Sequence, residues 1–215
     1  MTSAPDRPSA VGGASSYSPV FFDSIREGSQ SSAAAVVPLV VERFSLSTVV
    51  DVGCGEGLWG KAFEDAGCEV LGLDCHPEPL IPARNVDLTD TLPSFEHDFD
   101  LAVCLEVAEH LPPERAETFI AELCGLSHTI LFSAAVPGQG GTGHLNEQWP
   151  PYWVDLVLAN GFSCSDQLRW DLWYDEQVCW WYRQNIFVAS SRFDLAHEAP
   201  RPVIHPGAWA HFGHR

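Results

Sequence analysis

The sequence predicts a doubly wound α/β domain: a mostly parallel sheet of seven strands with helices on both faces and the last strand antiparallel. Three observations carry that expectation. Apolar, β-branched runs alternate with segments of helical period over most of the chain. One run, "FDLAVCLE" at 99–106, is almost continuously apolar, as a central parallel strand covered on both faces must be. The stretch "VVDVGCGEGLWG" at 49–60 reads as a strand, a tight turn with four glycines in eight residues, and a helix start.

Each element has its own signal. Residues 1–16, rich in Ser, Pro, Gly and Ala, read as a disordered leader. Residues 17–44 read as a helical cap, with Val36, Val37, Val40, Val41 and Phe44 on one face and Pro38 as a kink or first-turn residue. "STVVDVGC" is a buried strand, and "LWGKAFEDAG" a helix stopped by Gly67. "CEVLGLD" is a second strand ending at Asp74, and "ARNVDL" a short third. After the fourth strand, Ala116, Phe119, Ile120 and Leu123 recur at helical spacing behind Pro113. "HTILFSAAV" is a fifth strand, "GQGGTG" at 138–143 a flexible loop, and "PYWVDLVLANG" a helix. "FSCSDQLR" and "WWYRQNIFVAS" are the candidate final strands. Residues 17–191 thus form one domain, and 192–215 an irregular tail.

Composition narrows the function. The 215 residues suffice for one compact core. The net charge is −18 and Lys61 is the only lysine, so no basic face is available for a polyphosphate backbone. Nucleic acid is therefore not expected as a partner, whereas a small molecule is. No stretch is long and apolar enough to span a bilayer and no secretory signal opens the chain, which predicts a cytoplasmic protein. Seven cysteines, an odd count without any CxxC, read as reduced thiols rather than disulfides or a zinc site. Nor do His197, His205, His211 and His214 in the tail have the spacing of a metal-ligand set, so no metal is expected.

In a sheet of this kind ligands sit beyond the carboxyl ends of the strands. Asp51–Gly57, Asp74, Asp87 and Glu106–His110 all fall there. Gly55–Gly60 matches the dinucleotide pattern G-x-G-x-x-G, which is weak evidence alone. Asp51 and Glu56 oppose it, because a pyrophosphate seeks bare amides rather than two carboxylates. A ligand with an ammonium and a sulfonium has the reverse preference. Asp74 suits a ribose diol, a device that NAD sites share.

The motifs "DVGCGEG", "GLD" (72–74), "VDL" (86–88) and "FDLAVCLEVAEHL" (99–111) resemble, in order and spacing, those of class I S-adenosylmethionine-dependent methyltransferases. "SAAVPGQGGTGHLNEQWPPYW" (133–153) and "WWYRQN" (180–185) are similar to a bacterial small-molecule subgroup, of type 11/23. The resemblance implies a Rossmann-like methyltransferase fold and S-adenosyl-L-methionine as cofactor. It implies that Asp51 and the backbone of Gly53, Gly55 and Gly57 line the methionine end, with Asp74 on the ribose and Cys75 beside the adenine. Asp87 and the Leu88 amide would face the adenine edge, and Glu106 and Val107 would close the pocket near the methyl. Where relatives that methylate base or glutamine nitrogens carry [DN]-PP-[YF], this chain reads "LEVAEH", which argues against that activity.

Methyl transfer from a sulfonium is an in-line displacement, and a hydroxyl acceptor benefits from a base. "GHLNEQW" at 143–149 is the densest polar cluster. His144 and Glu147 are candidates to orient or deprotonate an acceptor, and His110 is a second base. The same residues could simply anchor the loop. The expected activity is methylation of a small-molecule acceptor, a sugar or secondary metabolite, on oxygen rather than nitrogen. The other readings are a small-molecule N-methyltransferase, a non-catalytic S-adenosylmethionine-binding protein and, disfavoured by Asp51 and Glu56, an NAD oxidoreductase. The tryptophans of 170–181 are expected to pack mostly on the two faces of a final strand, and Arg183 to pair with a carboxylate. Tyr17, Phe21 and Phe22 suit either a lid over the cofactor or a hydrophobic staple. The sequence leaves the oligomeric state open.

Overall fold

The computed structural model describes residues 19–76, 78–193, 195 and 200–212. The expected leader at 1–16 and Tyr17 lie outside them, as do the side chains of Phe21 and Phe22. The strands are β1 (Thr48–Val52), β2 (Glu69–Asp74), β3 (Ala83–Asn85), β4 (Leu101–Leu105), β5 (Thr129–Ser133), β6 (Ser163–Ser165) and β7 (Phe187–Ser190). They form one sheet in the order β3-β2-β1-β4-β5-β7-β6. β1 to β5 pair in parallel, and β7 runs antiparallel to both of its neighbours. Strand order reverses between β1 and β4, which opens a crevice at their carboxyl ends.

The helices are α1 (Pro19–Phe44), α2 (Leu58–Asp65), α3 (Ala116–Cys124), α4 (Pro150–Ala159), α5 (Gln167–Leu172), α6 (Trp180–Asn185) and α7 (Pro206–Phe212). Period-2 alternation along the central strands builds two cores. Val50, Val52, Ala102, Cys104, Ile130 and Phe132 face α3 and α4. Val49, Leu101, Val103, Leu105 and Leu131 face α1, α2 and α5. All five residues of β4 and of β5 are buried; β4 is apolar throughout, and β5 is apolar between Thr129 and Ser133. α1 continues through Pro38 rather than beginning there. Gly67, at φ 93, follows the last turn of α2 as the expected stop.

Four expectations at the carboxyl-terminal end are corrected. "FSCSDQLR" contains only the short β6, after which residues 167–172 coil into α5. Trp180–Asn185 is the helix α6, so its aromatics do not alternate across a sheet. An aromatic–polar run of six residues satisfies either period; here Tyr182 and Asn185, three apart, are both buried, which suits a helix face. The tail is not irregular throughout: α7 follows a buried His205, whose ring nitrogen Nε2 donates to the Trp173 carbonyl at 2.9 Å. Arg183 donates to that same carbonyl at 3.3 Å rather than to a carboxylate. All seven cysteines are free, with Cys68, Cys104 and Cys164 buried and the others part-buried.

Candidate active site

The crevice begins at the turn after β1. Gly53, Gly55 and Gly57 all have positive φ, at 77, 51 and 82. Gly53 also has no room for a side chain: a Cβ there would stand 2.4 Å from Val107 Cγ2. The turn therefore presents bare backbone against Val107 in the loop after β4.

Charge is distributed differently from the sequence expectation. Asp51 is buried and accepts a hydrogen bond from the Gly60 amide at 3.0 Å, so it caps the first turn of α2. Burial pushes its carboxyl up to about 7, with Asp74 adding repulsion and the Gly60 amide opposing. Glu56 is ion-paired with Arg26 of α1. Asp74 thus carries much of the negative charge facing the turn. Its two oxygens accept from the amides of Gly55 (2.8 Å) and His76 (2.7 Å), which leaves lone pairs for a diol. Cys75 is part-buried beside it. Asp87 is exposed and accepts from the Thr89 amide and hydroxyl at 2.9 and 2.7 Å. The Leu88 carbonyl is held by Arg115 at 3.2 Å, which fixes this loop at the outer edge.

A second cluster lies past β4 and β5. Glu106 has φ 54, a left-handed backbone unusual for a glutamate. Its carboxylate accepts from Asn185 Nδ2 at 3.0 and 3.3 Å and from Gln139 Nε2 at 2.8 Å. Burial raises its pKa, while Asn185, Ser133 and Gln139 offset part of that rise. Asn185 also donates to Gln139 Oε1 at 2.9 Å, so two loops and the end of α6, far apart in sequence, close one polar knot. Tyr182, one turn back on α6, is bonded to Ser29 of α1 at 3.2 Å and to Trp59 of α2 at 3.3 Å.

The polar loop 143–149 is folded back on the turn after β4. The amides of Leu145 and Asn146 both donate to the Glu109 carbonyl, at 2.8 and 2.9 Å. His144 Nδ1 and Glu147 Oε1 are 2.8 Å apart. The other donors to Glu147 are the amides of Gly138 (2.8 Å) and Gly140 (2.9 Å), and its pKa is lowered despite the cost of burial. The rings of His110 and His144 meet edge to face at 4.8 Å. Burial and the neighbouring His144 hold His110 down to about 4. His144 and Glu147 therefore form an oriented pair with His110 against it, while Glu147 also serves the loop backbone.

Sequence reasoning missed Glu109, Gln139, Tyr182 and Asn185. Glu109 lies in the strand-end segment Glu106–His110 but was given no role, and Asn185 sits within "WWYRQN", where nothing in one dimension shows that it reaches the pocket. A cavity of about 270 Å³ lies elsewhere, lined by Arg43, Phe44, Leu168 and Phe193 among others; none of its lining residues belongs to these strand-end loops.

Comparison with known proteins fits this geometry. Residues 50–126 match the family described as "Methyltransferase domain". The ubiquinone biosynthesis O-methyltransferase of Proteus mirabilis is 34% identical over 77 residues, 30% of this chain and 31% of that protein. That of Photorhabdus laumondii is 30% identical over 99 residues, 40% and 41% of the two chains. The chain thus spans about a third of the length of the curated relatives it matches. Among solved structures, magnesium protoporphyrin IX methyltransferase from Synechocystis PCC 6803, with bound S-adenosylhomocysteine, superposes with a TM-score of 0.60 at 22% identity, over 83% of this chain and 90% of that one. The sugar N-methyltransferase KedS8 from Streptoalloteichus sp. gives 0.61 at 15% identity, over 88% and 99%. Over residues 50–126 the chain matches the methyltransferase-domain family, and its seven-stranded sheet as a whole has the fold of class I S-adenosylmethionine-dependent methyltransferases.

Proposed function

We propose that the protein transfers a methyl group from S-adenosyl-L-methionine to a hydroxyl of a small molecule. The observation that carries the reading is the turn after β1, whose glycines Gly53, Gly55 and Gly57 all have positive φ, with the Asp74 carboxylate of the neighbouring β2 bonded to its Gly55 amide. A Cβ at Gly53 would strike the Val107 side chain, so the backbone there must stay bare, and Asp74 retains acceptor lone pairs for a ribose. Asp51, Gly53, Gly55 and Gly57 would bound the methionine end, and Asp74, Cys75, Asp87 and Leu88 the nucleoside. Glu106 and Val107 would stand near the transferable group.

When bound, the cofactor supplies the activated methyl as a sulfonium. The chain's own work is alignment, exclusion of water and proton removal. Glu147, holding Nδ1 of His144, leaves Nε2 as the nitrogen that accepts a proton from the acceptor hydroxyl. The polar knot at Glu106 gives rigid acceptors and donors on which a polyhydroxylated substrate, such as a sugar or secondary metabolite, could be oriented. The ubiquinone relatives are named O-methyltransferases, which supports oxygen as the acceptor.

Calorimetry with S-adenosylmethionine, S-adenosylhomocysteine and NAD tests the cofactor; binding of NAD alone would sink the reading. A panel of hydroxyl and amine acceptors followed by mass spectrometry tests the reaction. Methylation confined to amines would replace oxygen by nitrogen. Cofactor binding without any product across the panel would favour a non-catalytic binding protein.

A further inference from the structure

We infer that Glu109, His110 and His144 form a binding site for one divalent transition-metal ion of the zinc type. One carboxylate oxygen and one nitrogen from each ring all lie within 4.8 Å of one another. Two imidazoles and a carboxylate are the donor set that favours zinc and its first-row neighbours over magnesium or calcium.

Three independent features point to an ion rather than to chance proximity. First, Glu109 is only 1% exposed, and neither of its carboxylate oxygens has a hydrogen-bond partner of normal geometry. The backbone amides of Glu109 and Ala135 offset part of the burial without forming such bonds. A carboxylate enclosed in this way is costly unless a cation or a proton meets it. Second, both histidines are held from behind: His144 by Glu147 at 2.8 Å, and His110 by the backbone of Gly143. Metal-binding histidines are oriented by such carboxylate and carbonyl partners. Third, the three residues arrive on two loops that are pinned together, since the amides of Leu145 and Asn146 donate to the Glu109 carbonyl.

The fit needs a small closure. A tetrahedral ion with bonds of about 2.1 Å spaces its ligand atoms about 3.4 Å apart. Ligand atoms 4.8 Å apart or less therefore draw in by about an ångström, within the reach of side-chain rotation. Glu106 lies close enough for its charge to act on Glu109, which adds to the negative potential that a cation would meet. No spacing in the sequence announces the site, because Glu109 and His110 are separated from His144 by the whole of α3 and β5. Occupancy turns His144 from proton acceptor to ligand, so the two uses exclude each other in one molecule. The site itself does not rest on the methyl-transfer reading.

The test uses the full chain without a polyhistidine tag, stripped with a chelator and dialysed. Zinc and cobalt(II) are titrated with metal analysis and visible absorption, and X-ray absorption is recorded on the zinc-loaded wild type. The expected result is one ion per chain, bound in the micromolar range or tighter, with a shell of nitrogen and oxygen only. Glu109→Gln and His144→Ala should abolish binding, and Glu147→Gln should weaken it roughly 10- to 100-fold. His97→Ala, at an exposed position, should leave it unchanged. Absence of saturable binding by the wild type, sulfur in the shell from any of the seven cysteines, or stoichiometric binding that survives both ligand variants overturns the inference. If a variant fails to fold, the wild-type shell decides alone. None of these readouts is turnover, so methyl transfer stands or falls separately.

Discussion

Gly53→Ala separates two costs that the structure assigns to one position. The first is conformational: at φ 77 a Cβ costs about 1–2 kcal/mol. The second is steric, because the new methyl would stand 2.4 and 2.7 Å from the two γ-carbons of Val107. Overpacking of that kind costs about 1–3 kcal/mol. The sum is roughly 3 kcal/mol, a large share of the stability of a domain this size. Val107→Ala removes both clashing methyls and, alone, costs about 1.6 kcal/mol plus a cavity contribution. In that background Gly53→Ala should cost only its conformational part, leaving a favourable coupling of about 1.5–2 kcal/mol. The four proteins would be compared by urea denaturation, with S-adenosylhomocysteine affinity measured alongside. Additivity to within about 0.5 kcal/mol would show that the turn does not press on Val107, and the described contact would be wrong.

Other outcomes follow from the same site. Asp74→Ala should weaken S-adenosylmethionine about tenfold or more by calorimetry, because a charge-assisted acceptor is lost; unchanged affinity removes Asp74 from the ribose role. Asp51, raised to about 7, contributes stability that is present below its unfolded value and lost as pH rises towards 7. Asp51→Asn should therefore flatten the fall in stability between about pH 4 and 7; an unchanged slope by denaturation across that range contradicts the assignment. Glu147 has the opposite sign: its lowered pKa gives stability that is present above the ordinary glutamate range and lost as pH falls through the folded value. The deficit of Glu147→Gln should hence shrink in acid. Asn185→Leu strips donors from Glu106 and should cost about 1–3 kcal/mol, more in alkaline than in acid solution; a deficit independent of pH would show that Glu106 does not lean on Asn185.

The alternation of β-branched runs with helical segments was sufficient to expect a doubly wound sheet, because burial on both faces leaves an unbroken apolar signature in β4 and an apolar centre in β5. The glycine turn and Asp74 were equally legible, since a cradle requires particular residue types at particular strand ends. Trp180–Asn185 was not. Its short run suits two periods, and only contacts with Ser29 and Trp59 select the helix. Glu56 misled for a related reason: its partner Arg26 is thirty residues away, so the charge looked uncompensated. Asp51 gave no warning that it would be buried as a helix cap. The knot around Glu106 was invisible because Gln139 and Asn185 are unremarkable polar residues until β5 and β7 bring their loops together.

The buried His205 joins the carboxyl-terminal segment to the pocket through side-chain amides alone. Its backbone N–H donates to Gln184, Gln184 to Asn185, and Asn185 to Glu106. Each amide group in such a chain can satisfy its next neighbour only in one orientation. A molecule that displaces Asn185 from the Glu106 carboxylate must therefore turn the amides behind it as well. The row is a line of communication between pocket and tail: amide hydrogen exchange at His205 should report what occupies a cleft that the residue never touches.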